Sequence, residues 1–177
     1  ALTIAGDTSN LEVTVSGAGD VNGDGFDDVI IGAPASDIDD VGKSYVVFGS
    51  DQGFSASLNP ADLDGSNGFT LMPIGGNDGV GISVSGAGDI NSDGIDDLIV
   101  GAGQAVVNGL IRLGVSHVML GSDQGFSANL ELSSLDGSNG FVITGDAGDV
   151  AGGSVSGVGD INGDGIDNVI FEVPSYR

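Results

Sequence analysis

The chain has 177 residues, with 26 acidic side chains against 3 basic ones, 1 His, no Cys and a net charge of −23. So acidic a surface repels nucleic acid and anionic membrane, and the lack of Cys excludes disulfides, thiol nucleophiles and thiolate metal sites. The sequence shows neither a signal peptide nor an apolar run of the roughly 20 residues that a membrane span requires.

From the N-terminus, Leu2-Thr-Ile-Ala5 is a short apolar run, and a strand is predicted over 13–18. A loop of Asp, Asn and Gly follows over 20–28, then a second strand over 28–32. Asp37, Asp39 and Asp40 form an acidic loop, read as a solvated turn, with a weak extra cation site as the sharper reading. Strands are predicted over 44–48 and 69–74, and Gly75-Gly-Asn-Asp-Gly79 is a turn, since no helix follows it to make a phosphate cradle. The succession then returns with strand 82–87, loop 89–97 and strands 97–101, 116–120 and 141–144. It begins a third time with strand 154–158, loop 160–168 and strand 168–171. The runs after the loops, such as Val29-Ile-Ile-Gly32, are short, apolar and β-branched, which favours strands.

The three loops read Asp20-Val-Asn-Gly-Asp-Gly-Phe-Asp-Asp28, Asp89-Ile-Asn-Ser-Asp-Gly-Ile-Asp-Asp97 and Asp160-Ile-Asn-Gly-Asp-Gly-Ile-Asp-Asn168. Each offers side-chain oxygens at its first, third, fifth and ninth positions: Asp20, Asn22, Asp24 and Asp28; Asp89, Asn91, Asp93 and Asp97; Asp160, Asn162, Asp164 and Asn168. The seventh residue (Phe26, Ile95 or Ile166) would add its backbone carbonyl, and the Gly before it permits the tight turn. All-oxygen sets of this size and charge suit Ca²⁺ rather than zinc or copper. An EF-hand needs a bidentate Glu at position 12 and a following helix; here that position is Ile31, Val100 or Phe171, and a strand follows. Plain hairpin turns without metal are the competing reading, weakened by three recurrences of the full pattern. The third loop ends in the uncharged Asn168, so it is expected to bind most weakly and to be the one vacant or disordered.

The repeat extends beyond the loops. Gly49-Ser-Asp-Gln-Gly-Phe-Ser-Ala56 returns as 121–128, and Leu63-Asp-Gly-Ser-Asn-Gly-Phe69 returns as 135–141. A fixed period of about 70 residues with four short strands each describes β-propeller blades. The stretch from Val15 to Pro34 resembles an FG-GAP repeat, as in the N-terminal propeller of integrin α subunits and many bacterial surface proteins. The Phe-Gly element itself has become Leu11-Glu12, Val80-Gly81 and Ala151-Gly152, and the closing Gly-Ala-Pro is intact only at Gly32-Ala33-Pro34. The fold class expected is therefore all-β: an incomplete propeller of four-stranded antiparallel blades with strand–calcium loop–strand motifs. The expected division is 1–8 as the outer strand of a preceding blade, 9–77 and 78–148 as two blades, and 149–177 as a partial third.

Little supports catalysis. His117, the sole His, aligns with Tyr45 in a third strand and reads as structural. The Ser residues have no second His as base. The adjacent carboxylates Asp27-Asp28 and Asp96-Asp97 close metal loops, so ligation is favoured over acid–base work. The resemblance implies a non-catalytic, calcium-stabilised module at the cell surface or outside the cell, bacterial in type, for adhesion or assembly. Its partners would be a protein or glycan ligand, or further copies or blades of the same protein. Two alternatives are an accessory propeller of a secreted lipid- or polysaccharide-acting enzyme, and a subunit of a calcium-linked surface polymer.

Overall fold

The computed structural model describes residues 13–34, 42–54, 57–75, 78–103, 114–146 and 151–174. Leu2–Ala5, Leu11-Glu12 and the Asp37, Asp39 and Asp40 cluster lie outside them. In chain order the strands are β1 (Thr14–Gly19), β2 (Asp28–Ala33), β3 (Lys43–Val47), β4 (Gly68–Met72), β5 (Val80–Gly88), β6 (Asp97–Ala102), β7 (Val115–Met119), β8 (Asn129–Glu131), β9 (Gly140–Thr144), β10 (Val155–Gly159) and β11 (Asn168–Phe171). Helix is confined to two 3-10 turns, Pro60–Asp62 and Leu132–Ser134, among the described residues.

The strands assemble as blades. β1, β2, β3 and β4 pair antiparallel in that order, as do β5, β6, β7 and β9. β10 and β11 form a two-stranded start of a third blade. The sheets do not close on one another, so the propeller is incomplete. Two features differ from the sequence-based expectation. The short β8 runs parallel to β4 of the preceding blade, Thr70 opposite Asn129, and makes that sheet five-stranded. A three-residue strand carries too little periodicity to be legible in advance. The fourth strand of the first blade ends at Met72, because Pro73 has no N–H to continue the ladder.

The core lies between blades. Ile30, Val46, Phe69 and Leu71 of the first blade form one buried cluster with Val84, Leu98, Val100, Val115 and Met119 of the second. Phe126 stacks on Phe69 at 4.5 Å. Ala87, Ile99 and Val118 of the second blade cluster in turn with Val155, Val169 and Phe171 of the third. Each fully buried Leu, Ile, Val or Phe contributes about 1.5–3 kcal/mol, so blade-to-blade contact supplies much of the stability. Val84 and Val155 are buried against a preceding blade, whereas Val15, at the same repeat position, is 67% exposed. At the other end Ile30 and Ile99 are fully buried, while their equivalent Ile170 is 60% exposed.

Glycine permits this closeness. A Cβ at Gly101 would strike the carbonyl oxygen of Gly152 in the next blade and the Ser83 hydroxyl. Gly101→Ala is expected to cost on the order of 3 kcal/mol, as overpacking against backbone does. Urea unfolding of the purified variant measures it, and a loss under about 0.5 kcal/mol, the scale of a surface substitution, would show that the blades can separate without penalty.

Candidate calcium loops

Each loop folds around its first Asp. In the first loop, the Asp20 carboxylate accepts the N–H groups of Asp24 (3.0 Å) and Gly25 (2.8 Å). Asn22 Oδ1 accepts Asp24 N–H and Asp24 Oδ1 accepts Phe26 N–H, both at 3.0 Å. The second loop repeats this with Asp89 accepting from Asp93 and Gly94, Asn91 from Asp93, and Asp93 from Ile95. The third does so with Asp160, Asn162 and Asp164, the last accepting from Ile166 N–H. Gly25, Gly94 and Gly165 take φ of +92°, +89° and +87°, a conformation that side chains other than Gly resist. Side chains at positions 1, 3 and 5 are thus held by the backbone they wrap.

The ninth position behaves differently. Asp28 and Asp97 are buried at the first residue of β2 and β6. Asp28 accepts Val21 N–H at 3.0 Å and Gly49 N–H at 2.8 Å, tying the loop to the segment after β3. Asp97 does the same with Ile90 (3.0 Å) and Gly121 (2.8 Å). Burial pushes both carboxyls up to about 6; the backbone N–H groups oppose this, and the carboxylates at positions 5 and 1 of the same loop add to it. Sequence spacing gave no sign of the tie to Gly49 and Gly121. Asn168 is less buried and makes one longer bond, 3.3 Å from Ile161 N–H.

As the side chains stand, no three His, Cys, Asp or Glu groups among the described residues form a ready-made metal cluster. Position 3 is Asn in every loop, and the Asp28 and Asp97 oxygens are turned to backbone donors. The donor chemistry nevertheless fits a hard divalent cation. Every candidate ligand is an oxygen with a lone pair beyond its hydrogen bond, and in each of the first two loops the carboxylates at positions 5 and 1 disfavour ionisation of the buried one at position 9.

The structure separates the adjacent carboxylate pairs. Asp97 turns into its own blade, whereas Asp96 Oδ2 accepts Asp20 N–H of the preceding loop at 2.9 Å. Asp167 does likewise for Asp89 N–H at 3.1 Å. Thus Asp96 serves the neighbouring blade's backbone, an assignment that its place at the end of a loop had not suggested. His117 is buried in β7 with no hydrogen-bond partner for either ring nitrogen.

Restoring the charge of the third loop is a direct test of the ligand set. Asn168→Asp is expected to tighten calcium binding there by about tenfold or more, taking 1–3 kcal/mol for a charged group's contribution as the scale. Calorimetric titration checks it; unchanged affinities at all three loops would show that charge at position 9 does not limit this site.

Comparison with known proteins supports the repeat assignment. The FG-GAP repeat family model matches residues 13–47 and 80–113. Similar proteins include integrin alpha pat-2 of Caenorhabditis elegans, 36% identical over 50% of this chain and 7% of its own length. Integrin alpha-6 of Homo sapiens is 38% identical over 47% of this chain and 7% of its own. Phosphatidylinositol-glycan-specific phospholipase D of Mus musculus is 34% identical over 66% of this chain and 14% of its own. The chain therefore spans a small part, 7–14%, of these relatives.

Proposed function

We propose, on the premise of the two FG-GAP repeats matched at residues 13–47 and 80–113, that the chain is a calcium-stabilised, non-catalytic propeller module that acts outside the cell in adhesion or protein assembly. The observation that carries this reading is the threefold recurrence of one oxygen-donor loop at the same place in each blade, between its first two strands. Asp20, Asn22, Asp24, the Phe26 carbonyl and Asp28 would hold the first ion. Asp89, Asn91, Asp93, the Ile95 carbonyl and Asp97 would hold the second, with Asp160, Asn162, Asp164, the Ile166 carbonyl and Asn168 around a weaker third. Bound calcium neutralises carboxylates that otherwise repel, and so fixes the turn that sets β1 against β2 and β5 against β6.

The relatives named integrin support a protein-binding role, and calcium at external, millimolar concentration suits loops this short. No helix among the described residues is long and apolar enough to cross a membrane. The partner would be a protein or glycan, or further blades of the same kind. A second reading, an accessory propeller of a secreted enzyme, is favoured by the phospholipase relatives, which match more of the chain. Equilibrium dialysis against millimolar Ca²⁺ tests the first reading: uptake of two or more ions per chain, undiminished by equal Mg²⁺, is expected. No uptake would remove calcium from the account.

A further inference from the structure

Some of the hydrogen bonds between blades join one loop to the next. Asp96 is the eighth residue of the second loop, between the proposed ligands Ile95 and Asp97. Its carboxylate accepts the N–H of Asp20, first residue of the first loop, at 2.9 Å, and its own N–H donates to the Asp20 carbonyl at 3.2 Å. Asp20 is therefore gripped on both sides of its backbone by one residue of the neighbouring blade. The same pair of bonds recurs one blade on: Asp167 accepts from Asp89 N–H at 3.1 Å and donates to the Asp89 carbonyl at 3.2 Å. Gly19 and Gly88 make room for it, since a Cβ at either would overlap the Asp96 or Asp167 carboxylate. Among the described residues no carboxylate does this for Asp160, and none presents such an N–H to Asp27, the eighth residue of the first loop.

We propose that Asp96 and Asp167 are positioning residues that couple neighbouring calcium loops, so that filling one loop tightens the loop before it in the chain. The inference rests on the calcium reading above. An ion in the second loop would fix the Ile95 carbonyl and the Asp97 carboxylate, and so fix Asp96 between them. A fixed Asp96 holds the backbone of Asp20, whose carboxylate is the first ligand of the preceding loop. The extra negative charge beside Asp20 acts in the same sense, favouring a cation there. Coupling of this kind is reciprocal: an ion in the first loop also favours one in the second.

The N–H groups of Gly25, Gly94 and Gly165 donate to the Asp20, Asp89 and Asp160 carboxylates, so their amide resonances report each loop separately in a calcium titration followed by NMR. Asp93→Asn, which weakens the second loop without touching Asp96, is expected to weaken calcium at the Gly25 reporter by up to about fivefold, the lower end of typical couplings. Asp96→Ala is expected to do the same, Asp96→Asn to recover part of the loss because its side-chain carbonyl still accepts the N–H, and Asp27→Ala to leave the second and third loops unchanged. In EDTA, Asp96→Ala should speed hydrogen exchange of the Asp20 amide, a readout independent of bound metal. If the wild-type chain takes up calcium but Asp93→Asn and Asp96→Ala leave the first loop's affinity unaltered, the coupling is wrong and the calcium reading stands. If the wild-type reporters do not respond to calcium, both are wrong.

Discussion

Withdrawing calcium with EDTA at pH 7 is expected to cost the folded chain about 5 kcal/mol, with two loops at a hundredfold excess over Kd each contributing about 2.7 kcal/mol. The loss should depend on pH in a particular sense. In the metal-free protein Asp28 and Asp97 titrate at about 6, above the value near 3.9 of an unfolded Asp. The folded state therefore binds these protons more strongly than the unfolded state does. The stability that they confer is present below about pH 4 and is lost as pH rises through about 6. Calcium takes the ionised form and removes that loss. The stabilisation by calcium, measured as the difference between urea curves with Ca²⁺ and with EDTA, should accordingly be small near pH 4.5 and full at pH 7. A difference of equal size at both would mean that these carboxylates are not ligands.

His117→Leu is expected to stabilise the protein, by about 1–2 kcal/mol at pH 7. The side chain is 1% exposed, and neither ring nitrogen has a partner. A buried polar group left unpaired costs about 1–3 kcal/mol, and Leu fills a similar volume among the apolar residues opposite, Val100 and Val142. Burial lowers the imidazole to about 4. The unfolded chain takes up this proton near 6.5, the folded chain not until about 4, so the wild-type protein loses stability as pH falls through that window. The gap between variant and wild type should widen by on the order of 3 kcal/mol between pH 7 and pH 4. Urea unfolding of both proteins at the two pH values, with calcium held constant, measures the gap. A gap that does not change would show that the imidazole titrates normally and is reached by solvent.

Much of the fold is legible in the sequence because the blade is written in local signals. The β-branched run after each loop places β2, β6 and β11, and β11 matches the predicted 168–171 residue for residue. The Asp and Asn spacing places the loops, since an alternating set of oxygens and a Gly at a fixed offset have few other uses. What is not legible depends on residues far apart in the chain. Asp28 and Gly49, Asp20 and Asp96, and Thr70 and Asn129 meet only once blades pack. The same holds for His117, whose place opposite Tyr45 suggests partial packing. Tyr45 is half-buried beside Ile31, Val47 and Leu63, whereas His117 is almost fully enclosed.

The most direct test of the account is a crystal structure of the chain grown in millimolar CaCl₂, with the anomalous signal of calcium collected. A peak is expected inside the 20–28 and 89–97 loops, each ion ringed by six or seven oxygens at about 2.3–2.6 Å. Those oxygens would include both Asp carboxylates of the turn, the Asn oxygen, the carbonyl of Phe26 or Ile95, and Asp28 or Asp97. Ordered loops with no anomalous peak, their carboxylates still bonded only to backbone N–H groups, would contradict it.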